Sequence, residues 1–542
     1  MSGLLMGSEW IVLVVVLLGM GGLISVVRAG EAALRADLPH LRRQGAATQL
    51  IVEGRPFIIL GGELHNSSAS SLEYMAPVWP RLAALNLNTV LATVSWELLE
   101  PEEGKFDFGL VDGLIQGARR HHLRLVLLWF GSWKNGVSSY APAWVKKDLK
   151  RFPRVQRQDG WNVEVLSPLS DANCRADARA LAALMQHVRD VDRGRQTVLM
   201  VQVENEAGLL GQTRDYSPPA EEAFRRPVPA ELMDYLLKHK DTLIPEFKAV
   251  WEAAGARGSG TWPEVFGEGA DETFMAWHVA RHIGRVAAAG KAEYPLPMFA
   301  NAWLIQPGNE KPGQYPSGGP VSKVMDVWRA AAPAIDFLAP DIYLPDFKGT
   351  CARYTRSGNP LFIPEVHRGP ESASRVFYAI GNHDAIGFCP FGIDGVPADH
   401  PVAASYALLS EMIPVIAAQQ GLGRMAGILI EKDEDLALEL GDYRVEVSPK
   451  VQGRANLPAY GLVIASGPEE FLLAGAGMQV GFAARTAGPG VTAILSVDEG
   501  HFKDGQWIPG RRLNGDESAA NGRAILPAGP LGLLRVKLYR HA

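Results

Sequence analysis

Leu199–Gly208 reads LMVQVENEAG: an apolar run that breaks abruptly into Glu204, Asn205 and Glu206. Such a run reads as a buried parallel strand whose C-terminal end opens into a cleft. The Asn-Glu pair then sets an amide beside a carboxyl where a ligand can meet them. Taken alone, the pair is equally a strand end with solvated charges. A second stretch, Leu361–Gly369 (LFIPEVHRG), repeats the form, with Glu365 at its mouth.

Working outward from these two stretches, the chain alternates short apolar runs with helical spacing. Strands are expected at Phe57–Gly61 (leading into Gly62, Glu63 and His65), Asn88–Val94, Leu123–Phe130 and from Leu199. Others are expected at Pro297–Trp303, Ile335–Tyr343, Leu361–Glu365 and Ala385–Phe391. Ser70 and Glu73 have the spacing of a capping box, and His400–Gln420 reads as the closing helix. Eight strands, each followed by a helix or long loop, predict a (β/α)8 TIM barrel with functional residues at the strand C-termini. An open doubly wound sheet is the other arrangement considered. The eight regular units and the lack of an early Gly-rich phosphate turn speak against it. From Gly421 onward short alternating segments separated by Gly, Pro and Asp-Gly turns predict a smaller all-β domain, a sandwich or barrel. The expected division is 1–29 as an export signal or membrane anchor, 30–46 as a linker, 47–421 as the barrel and 422–542 as the β-rich accessory domain.

The leader rests on residues 10–27, WIVLVVVLLGMGGLISVV, followed by the small-residue pattern Val27-Arg28-Ala29. An exported protein, periplasmic or secreted, is expected. A retained anchor is the alternative, because the leader carries Glu9 and no Lys or Arg and the run is long enough to span a bilayer. A hydrophobic content of 47% with 21% charged residues describes a folded globular chain. The net charge of -6 provides no basic field, so no nucleic-acid partner is expected. Cys174, Cys351 and Cys389 are too few for a disulfide framework. His278 and His282 stand at i and i+4 but lack an intervening Glu of the HExxH kind, so a solvated helix face is expected there and no metal or other cofactor.

Glu206 and Glu365 at the ends of the fourth and seventh strands would face each other across the barrel mouth. Two carboxylates so placed are what glycosidic bond cleavage needs: about 5–5.5 Å apart, one attacks the anomeric carbon while the other protonates the leaving oxygen. The proton donor needs a raised pKa, which burial and a negative neighbour supply. Asn205 is a candidate donor to a sugar 2-hydroxyl, and Arg368 either supports the charge on Glu365 or forms a surface ion pair. Trp96, Trp133, Asn135, Trp303 and Tyr343 are further candidates for binding a carbohydrate substrate, the aromatics as flat platforms for a pyranose ring. His65 reads as a hydrogen-bonded structural group.

VQVENEAG resembles the acid/base block of glycoside hydrolase family 35, the β-galactosidases. Ile59–Gly62 with His65, the block NTVLATVSWELLEP at Asn88–Pro101, the run EGKFDF from Glu103, and Pro142-Ala-Trp144 are similar to that family's first strands and loops, in order. The resemblance implies Glu206 as acid/base, Glu365 as nucleophile, retention of configuration and removal of terminal β-D-galactose from oligosaccharides or plant-type polysaccharide side chains. It also implies that the C-terminal region is an accessory domain of the kind carried by a bacterial subgroup. Arabinosidase or glucosidase action on the same barrel, or carbohydrate binding without turnover, are the alternatives. The chain departs from the family where an Ala-Glu-Trp segment ordinarily supplies a carboxylate to the sugar hydroxyls. Here the loop reads Gly131-Ser-Trp133-Lys134-Asn135-Gly136, leaving Asn135 or Glu97 as substitutes, and the second strand ends in Trp96-Glu97 where the family has Trp-Asn.

Overall fold

The structure, a computed structural model, describes residues 38–455, 457–488, 490–517 and 522–542. The expected signal or anchor, residues 1–29, lies outside the described residues. Eight parallel strands close into a barrel: β1 (Ile59–Glu63), β2 (Thr89–Ser95), β3 (Arg124–Lys134), β4 (Val198–Asn205), β5 (Met298–Trp303), β6 (Phe337–Ile342), β7 (Phe362–Val366) and β8 (Gly387–Pro390). Each is bounded within a few residues of the sequence expectation, because a fully buried strand is an apolar run with abrupt ends. Inside, Ile59, Leu91, Val126, Leu128, Phe299 and Phe362 pack as one cluster. The barrel is therefore a filled core with its chemistry confined to the upper rim.

The helices seal the outer faces. Asp171–Asp192 begins at Ser170, whose side chain accepts from the Asn173 N–H, and buries Ala180, Leu181, Leu184, Met185 and Val188 on one stripe. Each large side chain on that stripe contributes about 1.5–3 kcal/mol by leaving water. It packs against the long helix Ala270–Glu293. The first barrel helix starts one residue later than its expected cap: Ser71, not Ser70, accepts from the backbone of Tyr74. Val402–Gln419 is, by length and composition, apolar enough to cross a membrane. In this fold it is the closing barrel helix, its Tyr406 hydroxyl 2.8 Å and 2.9 Å from the Gly61 and Phe388 carbonyls.

The stretch expected as a linker is partly strand. His40–Gln44, Ala47–Val52 and Arg55–Phe57 form a three-stranded antiparallel sheet. Its charged first strand hid its alternation in the sequence, since the pairing is carried by the backbone. Leu50 and Val52 join the interior cluster, and the Gln44 and Gln49 amides donate to the Ala417 carbonyl at 2.9 Å and 2.8 Å. This sheet floors the barrel at the end opposite the mouth.

The C-terminal region is a sandwich of a six-stranded and a four-stranded sheet. Ile428, Val463 and Leu473 of one pack on Val445, Val447 and Val480 of the other. The sandwich docks on the barrel helix Ser372–His383 through backbone. A Cβ on Gly381 would fall 2.4 Å from the Gly427 nitrogen, so only glycine permits that approach.

Candidate active site

The end of β4 decides which side chains enter the mouth. Val201 and Val203 face the surrounding helices while Met200 faces the interior. Simple alternation would then put Glu204 inside and Asn205 outside. Instead Glu204 (φ +65°) and Glu206 (φ +46°) are left-handed, and the pairing with β3 slips between Trp129 and Lys134. Each such residue costs roughly 1–2 kcal/mol. The outcome is a reversal of sides. The Glu204 carboxylate turns away from the mouth and accepts the Trp133 and Gly131 N–H groups at 2.7 Å and 3.2 Å. Asn205 turns inward.

Asn205 ties the two halves of the mouth together. Its Nδ2 donates to Glu365 Oε1 at 3.3 Å, and its Oδ1 accepts from Lys134 Nζ at 2.9 Å. The second oxygen of Glu365 accepts the Tyr343 hydroxyl at 2.6 Å. The nucleophile candidate is thus held from both sides by neutral donors, on a residue directly opposite Asp341 of β6. Glu206 is anchored through its backbone N–H, which donates to Asn301 Oδ1 at 3.1 Å. Asn301 in turn donates to Asp341 Oδ2 at 2.7 Å.

The charges here are unbalanced. Burial, and then the Glu365 charge, push the Glu206 carboxyl up to about 7, with Lys134 working against them. Asp341, deeper and hydrogen-bonded to Glu206, is pushed well up by burial and by Glu365 and Glu206 beside it. Lys134, 8% exposed and lying over the Phe130 ring, is the cation acting on Glu206 from β3. Burial and the adjacent Glu365 also raise the Tyr343 hydroxyl far above its ordinary range, so it stays a donor.

The structure separates the other expected residues. Trp303, half-buried, and Tyr343 stand at the ends of β5 and β6, at the mouth. Trp96 does not: it is fully buried, its Nε1 donating to Glu100 at 2.9 Å. Trp133 is likewise buried, edge-on to His282, because the slip in β3 turns it toward the helices. Asn135 sits exposed in a left-handed turn (φ +53°) and meets the site only through its N–H to the Asn205 carbonyl. Glu97 lines a neighbouring cavity of about 540 Å³ with Asn66, Ser95 and Tyr140, and pairs with Lys146. Arg368 does not reach Glu365. It donates to His65 Nε2 at 2.8 Å, so His65 carries its proton on Nδ1, toward Asp394 at 3.0 Å. His282 is not on a solvated face: it is buried, 3.5 Å from Asp177, while His278 is half-buried against Phe274. Among the described residues no group of three or more His, Cys, Asp or Glu is placed to hold a metal.

Lys134, Asn301, Asp341 and Glu63 belong to the site and were not picked out from the sequence. Glu63 and Lys134 close their strands and Asn301 and Asp341 lie within the last three residues of theirs, a signal visible once strand ends are known to be the functional rim.

Residues 79–251 match the family model described as Beta-galactosidase, that of glycoside hydrolase family 42. These barrel residues are of glycoside hydrolase type. The matching model carries the family 42 name where the sequence resembles family 35; the β-galactosidase likeness is common to both. Residues 402–525 match a domain of unknown function, DUF5597. A β-galactosidase of Xanthomonas manihotis is 30% identical over 192 residues, covering 34% of this chain and 29% of that protein. The human Beta-galactosidase-1-like protein 3 is 29% identical over 187 residues, covering 34% of this chain and 26% of its own length. The chain therefore spans less than a third of these curated relatives. Among solved structures, the β-galactosidase of Bacillus circulans sp. alkalophilus is 15% identical, covers 66% of this chain and 57% of its own, and has a TM-score of 0.45. The β-amylase catalytic domain of Paenibacillus polymyxa is 13% identical, covers 65% and 98%, and has a TM-score of 0.46.

Proposed function

We propose that this chain is an exo-acting retaining β-galactosidase, hydrolysing terminal β-D-galactosyl residues through a covalent glycosyl-enzyme. The observation that carries this reading is the Asn205–Glu365 hydrogen bond across the mouth, with Glu206 the next residue along. It joins the ends of β4 and β7, which supports a reading in which both carboxyls serve one sugar carbon. Glu365 attacks C1, and the leaving oxygen departs with the proton of Glu206. Asn205, beside the attacking oxygen, donates to the 2-hydroxyl as positive charge develops on the ring. Once Glu365 is esterified its negative charge is gone, and one cause of the raised Glu206 pKa goes with it. Glu206, which has already passed its proton to the leaving group, therefore stays ionised and takes the proton of the incoming water as its base. Water attacks the face opposite Glu365, and two inversions give retention.

A panel of aryl β-glycosides tests the reading. Turnover of the β-galactoside in excess of the arabinoside and glucoside, with β-galactose as first product by NMR, is the expected result. Preference for another sugar moves the assignment to the arabinosidase or glucosidase alternative. Binding with no turnover on any sugar overturns it. Glu365→Gly should lose turnover and regain it with azide, which enters the vacated face and leaves an α-galactosyl azide. Export of the chain remains part of the proposal, tested by fractionating cells that express it.

A further inference from the structure

The mouth contains a carboxylate that this mechanism does not use. Glu63 ends β1, on the strand face that Ile59 and Gly61 share. Ile59 is in the interior cluster, and a Cβ on Gly61 would meet the Cys389 sulfur of β8. The Glu63 side chain thus points up the barrel axis. It is fully buried, and neither carboxyl oxygen has a hydrogen-bond partner among the described residues. The charges acting on it are Glu365, Lys134 and Glu206, the groups at the rim ends of β7, β3 and β4. Two acceptor oxygens without donors are costly to bury, and natural cores avoid them. A ligand rich in hydroxyl donors would remove that cost.

We propose that Glu63 binds the glycone, accepting hydrogen bonds from hydroxyls on the ring carbons remote from C1. This rests on the glycosidase reading and names the group that discriminates among sugars within it. C1 is fixed by Glu365 and Glu206, and Asn205 takes the 2-hydroxyl side from β4. β1 lies across the barrel from β4 and β5, so Glu63 meets the remaining side of the ring. The other polar groups near that side are not free for the role: Asn135 is turned out and Glu97 is engaged with Lys146.

The test is Glu63→Gln in the full chain, which keeps the volume and one acceptor oxygen. It is assayed on an aryl β-galactoside and on its 3-, 4- and 6-deoxy analogues. Burial and the Glu365 charge push the Glu63 carboxyl well up, so the bond lost is one to a neutral acid, and for the parent substrate kcat/KM should fall roughly 10-fold. On at least one deoxy analogue the wild type should already be slowed comparably, and the substitution should cost little more. Calorimetric binding of galactose should weaken in parallel, with the melting temperature unchanged or raised. An unaltered parent kcat/KM, or the same loss on every analogue together with a lowered melting temperature, would overturn the assignment. If wild-type protein hydrolyses no aryl glycoside, it is the glycosidase reading that fails; calorimetry with the free sugar still reports on Glu63.

Discussion

Tyr343 and Glu206 show how much of the proposed reaction rests on single atoms. The Tyr343 hydroxyl is one of two neutral donors on Glu365, and it keeps the attacking oxygen aimed without quenching its charge. Tyr343→Phe should lower kcat by roughly 10–100-fold, the worth of a hydrogen bond to a charged group, with a smaller change in KM. Steady-state kinetics on one aryl galactoside measures the split. Glu206 works as an acid only while protonated, and its pKa stands at about 7. Activity should therefore fall as pH rises through about 7 in the kcat/KM profile. Glu206→Gln should abolish that limb, slow substrates with poor leaving groups by about 10²–10⁴, and spare those whose leaving group needs no proton. Both glutamates were legible in the sequence because each closes an apolar run. Trp96 and Trp133 misled for a physical reason: an aromatic at a strand end is as well suited to the gap between strand and helix as to the cleft, and only the backbone's direction decides.

That direction is set at the level of the strand. A period of two allows one side chain in every pair to face the mouth, and the two left-handed glutamates of β4 break the count. Nothing in VQVENEAG marks Glu204 for positive φ, since that conformation is imposed by the Gly131 and Trp133 N–H groups waiting for its carboxylate. Glu204→Ala should leave both donors buried and unpaired, costing about 2–4 kcal/mol in urea unfolding. It should also release Lys134 and Asn205 from their register, so that activity is lost even where the variant folds. Circular dichroism at matched fraction folded separates the two effects. The barrel strands were readable from apolar runs. The opening antiparallel sheet was not, because its first strand is charged and stands on a short loop.

Across the whole molecule, the barrel and the sandwich share one closely packed seam. Gly381 on the helix after β7 and Gly427 on the first sandwich strand meet backbone to backbone. Gly381→Val should force them apart and lower the melting temperature by several degrees. It should also weaken catalysis, since that helix follows the strand bearing Glu365; a melt monitored alongside turnover would show the two falling together. If turnover survives intact in a chain whose sandwich has loosened, the seam is only a tether.

Beneath the barrel, the small sheet of residues 40–57 has a further consequence. That sheet lies at the end of the barrel away from the rim where sugars would enter, and Arg42 and Arg43 on its first strand are exposed. A bead or dye coupled to that exposed face would therefore stand behind the enzyme and leave its entrance clear.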